Sequence, residues 1–369
     1  MMTANKDEKK AILDGLIDMF SQNRRWLLFF GTGTSCALDK RFGMPALAAH
    51  LKKEKELSAT DDWAQVESQL ASGHSLEEAL TGVGLHPATK TLIQQKAGDF
   101  VAEIDRSVRN DVLLGKKHWV GERLLKALTG RLPPRNPRLP VVTANYDMLI
   151  EYACASQSIR CTSGFLGDLM RVWNWEGVQD SLNQCRVSRS ASRTMKLTNP
   201  LPRVELLKVH GSINRFATGN RQVECDLWTV EVPVGCERVI AAPGDQKYEQ
   251  YADNIPTAAL GIKAQDEAMA FAVIGYGFND PHLHKGIFAR VRQENCPLLV
   301  LTFDLADEKI EELRKLGTRV WILIAPKLGA GKNNEARTAV YMPGREDPLV
   351  LEGERLWSCD SFAEVILGG

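Results

Sequence analysis

Trp26-Leu27-Leu28-Phe29-Phe30-Gly31-Thr32-Gly33-Thr34-Ser35 is the stretch whose reading decides the fold. Five apolar residues run without interruption and stop at a glycine. A strand with one wet face alternates apolar and polar residues, whereas an unbroken apolar run belongs to a parallel sheet covered on both sides. Similar runs recur at Val141-Val142-Thr143, Leu206–Val209, Val239–Ala242, Phe271–Ile274, Leu298–Thr302 and Val320–Ile324. Most are separated by enough chain for a helix. The alternation predicts an α/β protein, a Rossmann-like parallel sheet with helices on both faces.

Working outward, Ile12, Leu13, Leu16, Ile17 and Phe20 share one helical face and predict a docking helix near the start. Residues 46–135 carry helical patterns at Trp63–Leu70, Leu76–Leu80 and Lys90–Ile104, closed by Pro133-Pro134. That is too much chain for one crossover, so a helical insertion subdomain is expected. The connection 151–203 holds Trp173 and Trp175, and from Leu182 to Arg203 it has five basic residues and no acidic one. It reads as a long loop insertion. The expected plan is one domain over 1–369. Its core is 20–45 with 136–330, and 331–369 is a C-terminal extension with no room for a large further domain.

The 369 residues balance 46 Lys and Arg against 46 Asp and Glu. Nucleic-acid binding by the whole surface rests on excess positive charge, so direct nucleic-acid binding is not expected. No apolar run approaches the roughly 20 residues of a membrane span, so no membrane association is expected. Lys6-Asp7-Glu8-Lys9-Lys10 leads into an amphipathic pattern rather than a signal peptide, and a cytoplasmic location is expected. The eight cysteines contain no C-x2-C pair, which argues against a zinc ribbon and against any structural zinc.

The candidate chemistry sits at strand ends. Gly31, Thr32, Gly33 and Ser35 follow the first strand, where glycines admit a pyrophosphate close to the backbone; a tight turn without ligand is the alternative. Thr143-Ala144-Asn145-Tyr146-Asp147 ends the second strand, and Asn145 would serve a ribose or a water, or else Asn145 or Asp147 would cap a helix. Lys208-Val209-His210-Gly211-Ser212 places His210 as a general base near neutral pH, or as a structural histidine. Gly275-Tyr276-Gly277-Phe278-Asn279-Asp280-Pro281-His282 repeats the strand, glycine loop and helix order, with Asp280 and Pro281 opening the helix. Asp280, His282 and His284 are a poor metal set, because positions i and i+2 of a helix face apart. Asp304, after the next strand, would hold a base or ribose, or form a turn.

The ordered set G-T-G-T-S, T-A-N-Y-D, L-K-V-H-G-S and G-Y-G-F-N-D-P-H resembles the sirtuin-like NAD-binding family, and more closely its bacterial branch in antiphage defence. The resemblance implies that Gly31, Thr32, Gly33 and Ser35 bind NAD phosphates and ribose, and that Asn145 and His210 are the catalytic pair. Asp147 would support the asparagine and the nicotinamide end. Gly275, Gly277, Asn279, Asp280 and Asp304 would complete the NAD site. The missing zinc module argues against lysine deacylation and leaves NAD chemistry intact. The implied activity is an NADase, a hydrolase that uses NAD as substrate and starves an infected cell (abortive infection). ADP-ribosyl transfer, deacylation and non-catalytic nucleotide sensing are the alternatives.

Such an activity needs gating. A homo-oligomer is expected, with the first helix and the 46–135 region as interfaces, and relatives suggest a HerA-like DNA-translocating ATPase partner. The neutral total conceals basic stretches at 112–140 and 182–203 and an acidic one at 224–268, which would join subunits or a partner.

Overall fold

The computed structural model of the chain describes residues 2–22, 24–190, 193–219, 221–242, 255–327 and 336–368, with the backbone alone over 184–199. A ten-stranded sheet runs in the order Met2–Thr3, Leu349–Glu352, Arg337–Tyr341, Val320–Ile324, Leu298–Thr302, Ala270–Ile274, Trp26–Phe30, Arg138–Thr143, Arg203–Lys208 and Cys161–Thr162. The block from Val320–Ile324 to Cys161–Thr162 is parallel throughout. Its six longer strands, numbered along the chain from Trp26–Phe30, stand in the order 3-2-1-4-5-6. This is the doubly wound arrangement, and its winding reverses between Trp26–Phe30 and Ala270–Ile274.

The unbroken apolar run at Trp26–Phe30 has a direct packing cause. Leu28 and Phe30 join one buried cluster, which includes Leu16, Val141 and Phe362. Leu27 and Phe29 join another on the opposite face, with Val142, Phe271 and Ile287. Alternate residues of a strand point to opposite sides, so a strand covered twice is apolar at every position.

The structure departs from three expectations. Val239–Ala242 does not enter the parallel sheet. Glu237–Ile240 instead pairs antiparallel with Gly211–Thr218 in a separate five-stranded sheet, with Arg221–Glu224, Arg171–Trp173 and Phe165–Gly167. The left-handed φ of +81° at Gly211 turns the chain out of the main sheet here. The 151–203 connection is not a plain loop. It contributes strands to both sheets, a helix at Trp175–Ser181, and an antiparallel pair of Asn183–Ser190 with Arg193–Pro200. The segment after 331 is not a mere extension either, because Arg337–Tyr341 and Leu349–Glu352 widen the main sheet.

The first helix, Lys6–Ser21, is started by Asn5, whose side chain accepts from the Asp7 and Glu8 amides in a capping box. Its apolar face is spent inside the chain: Ile12 and Leu16 are fully buried, and Phe20 stacks on Trp26 at 4.1 Å and meets Phe362 edge-on at 5.7 Å. The face read as a docking surface therefore docks onto the chain's own sheet and C-terminal helix, Cys359–Leu367.

Between the first two parallel strands lie the helices Met44–Leu51, Lys55–Ser58, Asp61–Ala71, Leu76–Gly82, Pro87–Leu113 and Glu122–Thr129. The first five share an apolar core of their own, built on Leu47, Leu51, Trp63, Val66, Leu80, Ile93 and Ala97. The 27-residue helix Pro87–Leu113 spans two cores: Ile93 and Ala97 lie in this one, Val101 to Val112 in the main one. Asp105 anchors it, accepting from the Met148 amide at 2.8 Å and the Tyr152 hydroxyl at 2.5 Å. The first five helices thus form a cover, whose Met44, Leu47, Glu77, Thr81 and Phe100 face the loops at the carboxyl ends of the strands, while Glu122–Thr129 packs in the main core.

Candidate functional site

Gly31 and Gly275 follow the two strands at which the winding reverses. The Gly31 amide donates to the Ile274 carbonyl at 2.8 Å, and the Gly33 amide to the Gly275 carbonyl at 2.9 Å. A Cβ on Gly31 would stand 2.5 Å from that same carbonyl oxygen, and Gly275 itself has φ of +61°. Glycine is required because two backbones touch. The amides of Thr34 and Ser35 donate to Gly31 and Thr32 carbonyls, and the helix that follows, Gly33–Cys36, is a single turn. The loop therefore supplies close backbone approach, while the Gly33 amide is taken by the Gly275 carbonyl and those of Thr34 and Ser35 by the turn itself.

Asn145 is held at the junction. Its Nδ2 donates to the Gly31 carbonyl at 3.2 Å and to Ser35 Oγ at 3.0 Å, and its Oδ1 accepts from Thr32 Oγ1 at 3.4 Å. It does not cap a helix. The next helix, Leu149–Ser156, begins four residues later, and Asp147 Oδ1 accepts the Leu149 amide instead. Ser35 Oγ donates to Asp147 Oδ2 at 2.7 Å, which links serine, aspartate and asparagine in one buried chain of hydrogen bonds. Burial pushes the Asp147 carboxyl up, with Lys208 and Ser35 acting against it.

Lys208 is the residue that sequence reasoning undervalued. It interrupts an otherwise apolar strand end and is 1% exposed. Its ammonium donates to the Asp147 carbonyl at 2.6 Å and to Ser212 Oγ at 2.9 Å, and pairs with Glu151 at 2.7 Å. A buried cation tolerates such a place only with this full set of partners. It ties the N-Y-D loop to the H-G-S loop, and the Tyr146 carbonyl adds a second tie by accepting from the Ile213 amide at 3.0 Å.

His210 follows the strand Arg203–Lys208, and its Nε2 lies 3.7 Å from Asp280 Oδ2. Burial pulls its basicity down while Asp280 pulls it up. Asp280 starts the helix Pro281–Glu294, as expected, its Oδ1 accepting the His282 amide at 2.9 Å. The Tyr276 hydroxyl donates to the Asp280 carbonyl at 2.9 Å and fixes the loop. His282 and His284 part company: His282 lines the cavity, whereas His284 is packed among Tyr276, Phe278 and Phe288, and burial lowers it to about 4. Among the described residues no group of three or more His, Cys, Asp or Glu is placed to hold a metal ion.

These groups surround one cavity of about 410 Å³. That is in the range of small-molecule sites. Of the residues named from sequence, Gly31, Thr32, Gly33, Asn145, Asp147, His210, Gly275, Gly277, Asn279 and Asp280 line it. Ser35 does not; it is 1% exposed and acts from beneath through Asn145 and Asp147. Asp304 does not either. Its side chain is 71% exposed beside Lys327, because its strand is one removed from the reversal point. The ceiling comes from the helical cover through Phe42, Met44, Leu47, Glu77, Thr81 and Phe100. No sequence motif marked Leu47, Glu77, Thr81 or Phe100, and only their position over the strand ends makes them part of the site.

Residues 140–318 match the family model described as a SIR2-like domain. That span holds the Asn145, His210 and Asp280 loops and omits the first strand with its glycine turn. No curated protein sequence matches the chain at a significant level. Among solved structures, one from work on the mechanism and regulation of Sir2 enzymes is 11% identical, with 86% of this chain and 92% of that chain covered and a TM-score of 0.39. Another, concerned with sirtuin substrate affinity, is 13% identical over 84% of this chain and 92% of that one, with a TM-score of 0.37. A mutant Sir2 homologue in complex with ADP-ribose is 11% identical over 79% and 83%, with a TM-score of 0.37. The fold assignment rests on the strand order given above.

Proposed function

We propose that the chain is an NAD glycohydrolase, releasing nicotinamide and ADP-ribose. The observation that carries this reading is the convergence of Asn145 and His210 on one cavity at the reversal point of a doubly wound sheet. The SIR2-like match over 140–318 supports it.

The chemistry makes modest demands. Nicotinamide leaves as a neutral ring with the electrons of the ribose–nitrogen bond, so no acid is needed. Positive charge develops on the ribose, water adds to C1′, and that water gives up a proton. His210, whose basicity burial pulls down and Asp280 pulls up, accepts it and returns it to solvent, a role usually contributing ~10²–10⁴-fold. Asn145 is clamped by Gly31, Ser35 and Thr32, and the second lone pair of its carbonyl oxygen would accept from a ribose hydroxyl or the attacking water. Ser35, Asp147 and Lys208 act by holding that geometry. Gly31, Gly33, Gly275 and Gly277 line the wall along which the dinucleotide would lie, and binding there would be used to position the reacting end.

The test is nicotinamide release from NAD by purified protein. Asn145→Ala and His210→Ala should each lower it by at least about a hundredfold, with circular dichroism unchanged. Wild-type rates in both variants would overturn the reading. Mass spectrometry distinguishes free ADP-ribose from an ADP-ribosylated or acylated acceptor, the products of transfer or deacylation.

We extend the proposal to a gated cytoplasmic effector of antiphage defence that acts by NAD depletion, as a homo-oligomer with a HerA-like ATPase partner. The motif resemblance is its support, and NAD consumption measured with and without the products of adjacent genes tests it.

A further inference from the structure

His210 stands where the chain leaves the main sheet for the five-stranded one, so its imidazole is only as well placed as the backbone at that corner. Before it, Lys208 is locked by its three partners. After it, Gly211 presses against the neighbouring strand. A Cβ there would collide with the Val239 carbonyl and stand 2.8 Å from the Ile240 Cα. The Ala241 amide then donates to the His210 carbonyl itself, at 2.9 Å. The segment 239–241 is therefore the abutment on which the corner rests, and whatever holds that segment helps to set where the imidazole sits.

Gln94, from the long helix of the cover, donates to the Ile240 carbonyl at 3.2 Å. Tyr146, from the N-Y-D loop, donates its hydroxyl to the Ala241 carbonyl at 2.6 Å. Tyr146 also grips the far side of the corner, because its carbonyl accepts from the Ile213 amide at 3.0 Å and from Ser212 Oγ at 3.3 Å. Its ring is buried in the main core, in the cluster that includes Ile213 and Ile240, so packing aims the hydroxyl. A phenylalanine would fill that place; the hydroxyl is what reaches Ala241. We propose that Tyr146 is a positioning residue for His210, holding the histidine from the neighbouring strand and from its own chain. Asn145 precedes Tyr146 directly, so one residue sets the spacing between the two groups of the reaction. The proposal rests on the reading of His210 as the general base. The phenol proton is committed to a backbone carbonyl, so Tyr146 acts by geometry and transfers no proton.

The measurement is the NMR resonance of the His210 ring in substrate-free protein, assigned by its loss in His210→Gln. Tyr146→Phe removes the hydroxyl and keeps the ring in the core. The His210 resonance should shift or broaden in this variant, while that of His284, packed among Tyr276, Phe278 and Phe288, stays in place. In the catalytic assay, kcat for nicotinamide release should fall by roughly tenfold or more with KM little changed, the signature of lost alignment. An unmoved His210 resonance in folded Tyr146→Phe overturns the proposal. So does a raised KM with wild-type kcat, which would make Tyr146 a substrate contact. Should Tyr146→Phe not fold, hydrogen exchange in the wild type decides: a slowly exchanging Ala241 amide supports the abutment, and a rapidly exchanging one overturns it. A shifted resonance without release by the wild type overturns the glycohydrolase reading and leaves the tie between the two loops in place.

Discussion

At the scale of single residues, the site is a set of close contacts with little slack. Gly31→Ala illustrates this, because the added methyl would meet the Gly275 carbonyl at 2.5 Å and the Tyr276 Cα at 2.6 Å, both backbone atoms. The expected cost is about 1–3 kcal/mol, seen as a lower urea midpoint, together with loss of nicotinamide release. A variant of wild-type stability and activity would show that the two loops are not in contact. The same scale explains what was legible beforehand. Asn145, His210 and the glycines stand at strand ends, where residue type and position carry the information. Lys208 stands inside a motif legible in the sequence, yet its role depends on three partners, Asp147, Glu151 and Ser212. Ser35 and Asp304 fit a pattern of type and position, and only packing shows that one is beneath the cavity and the other outside it.

At the scale of elements, the helix Pro87–Leu113 shows how buried charge links cover and sheet. Burial pushes the Asp105 carboxyl up to about 7, against the hydrogen bonds from Tyr152 and Met148. The unfolded carboxyl titrates near 4. Between about pH 4 and 7 the folded chain therefore binds more protons than the unfolded one, and this group's contribution to stability declines as pH rises. Asp105→Asn removes that dependence. Urea unfolding at pH 5 and pH 8 should show the wild type losing ground to the variant with rising pH, at up to about 1.4 kcal/mol per unit. A gap between the two proteins that stays constant with pH would contradict it. Elements also mark where sequence patterns stop short. Val239–Ala242 is as apolar as the true parallel strands, but a positive φ at Gly211 decides which sheet Glu237–Ile240 joins. Arg337–Tyr341 and Leu349–Glu352 are edgeward strands with mixed composition, so they gave no strong signal.

At the scale of the whole molecule, the cavity is bounded by two bodies with separate interiors. The floor belongs to the sheet and its two cores, the ceiling to the cluster around Trp63. Trp63 is fully buried, with its indole nitrogen donating to Glu67 at 3.1 Å. Trp63→Ala should cost about 3–5 kcal/mol within the cover. In hydrogen exchange, amides of Leu47–Ile93 should lose protection while those of Trp26–Phe30 and Ala270–Ile274 keep it. Equal loss in both regions would show one cooperative body instead.

The bridge between these bodies is the single long helix that ends in one core and begins in the other. A rod shared in this way joins the two interiors: it carries Ile93 and Ala97 in the cover's core, Val101 to Val112 in the main one, and Phe100 and Val101 in the cavity wall between them. The cavity's shape is therefore set by how that one helix seats in both cores, at positions well away from the glycine loops.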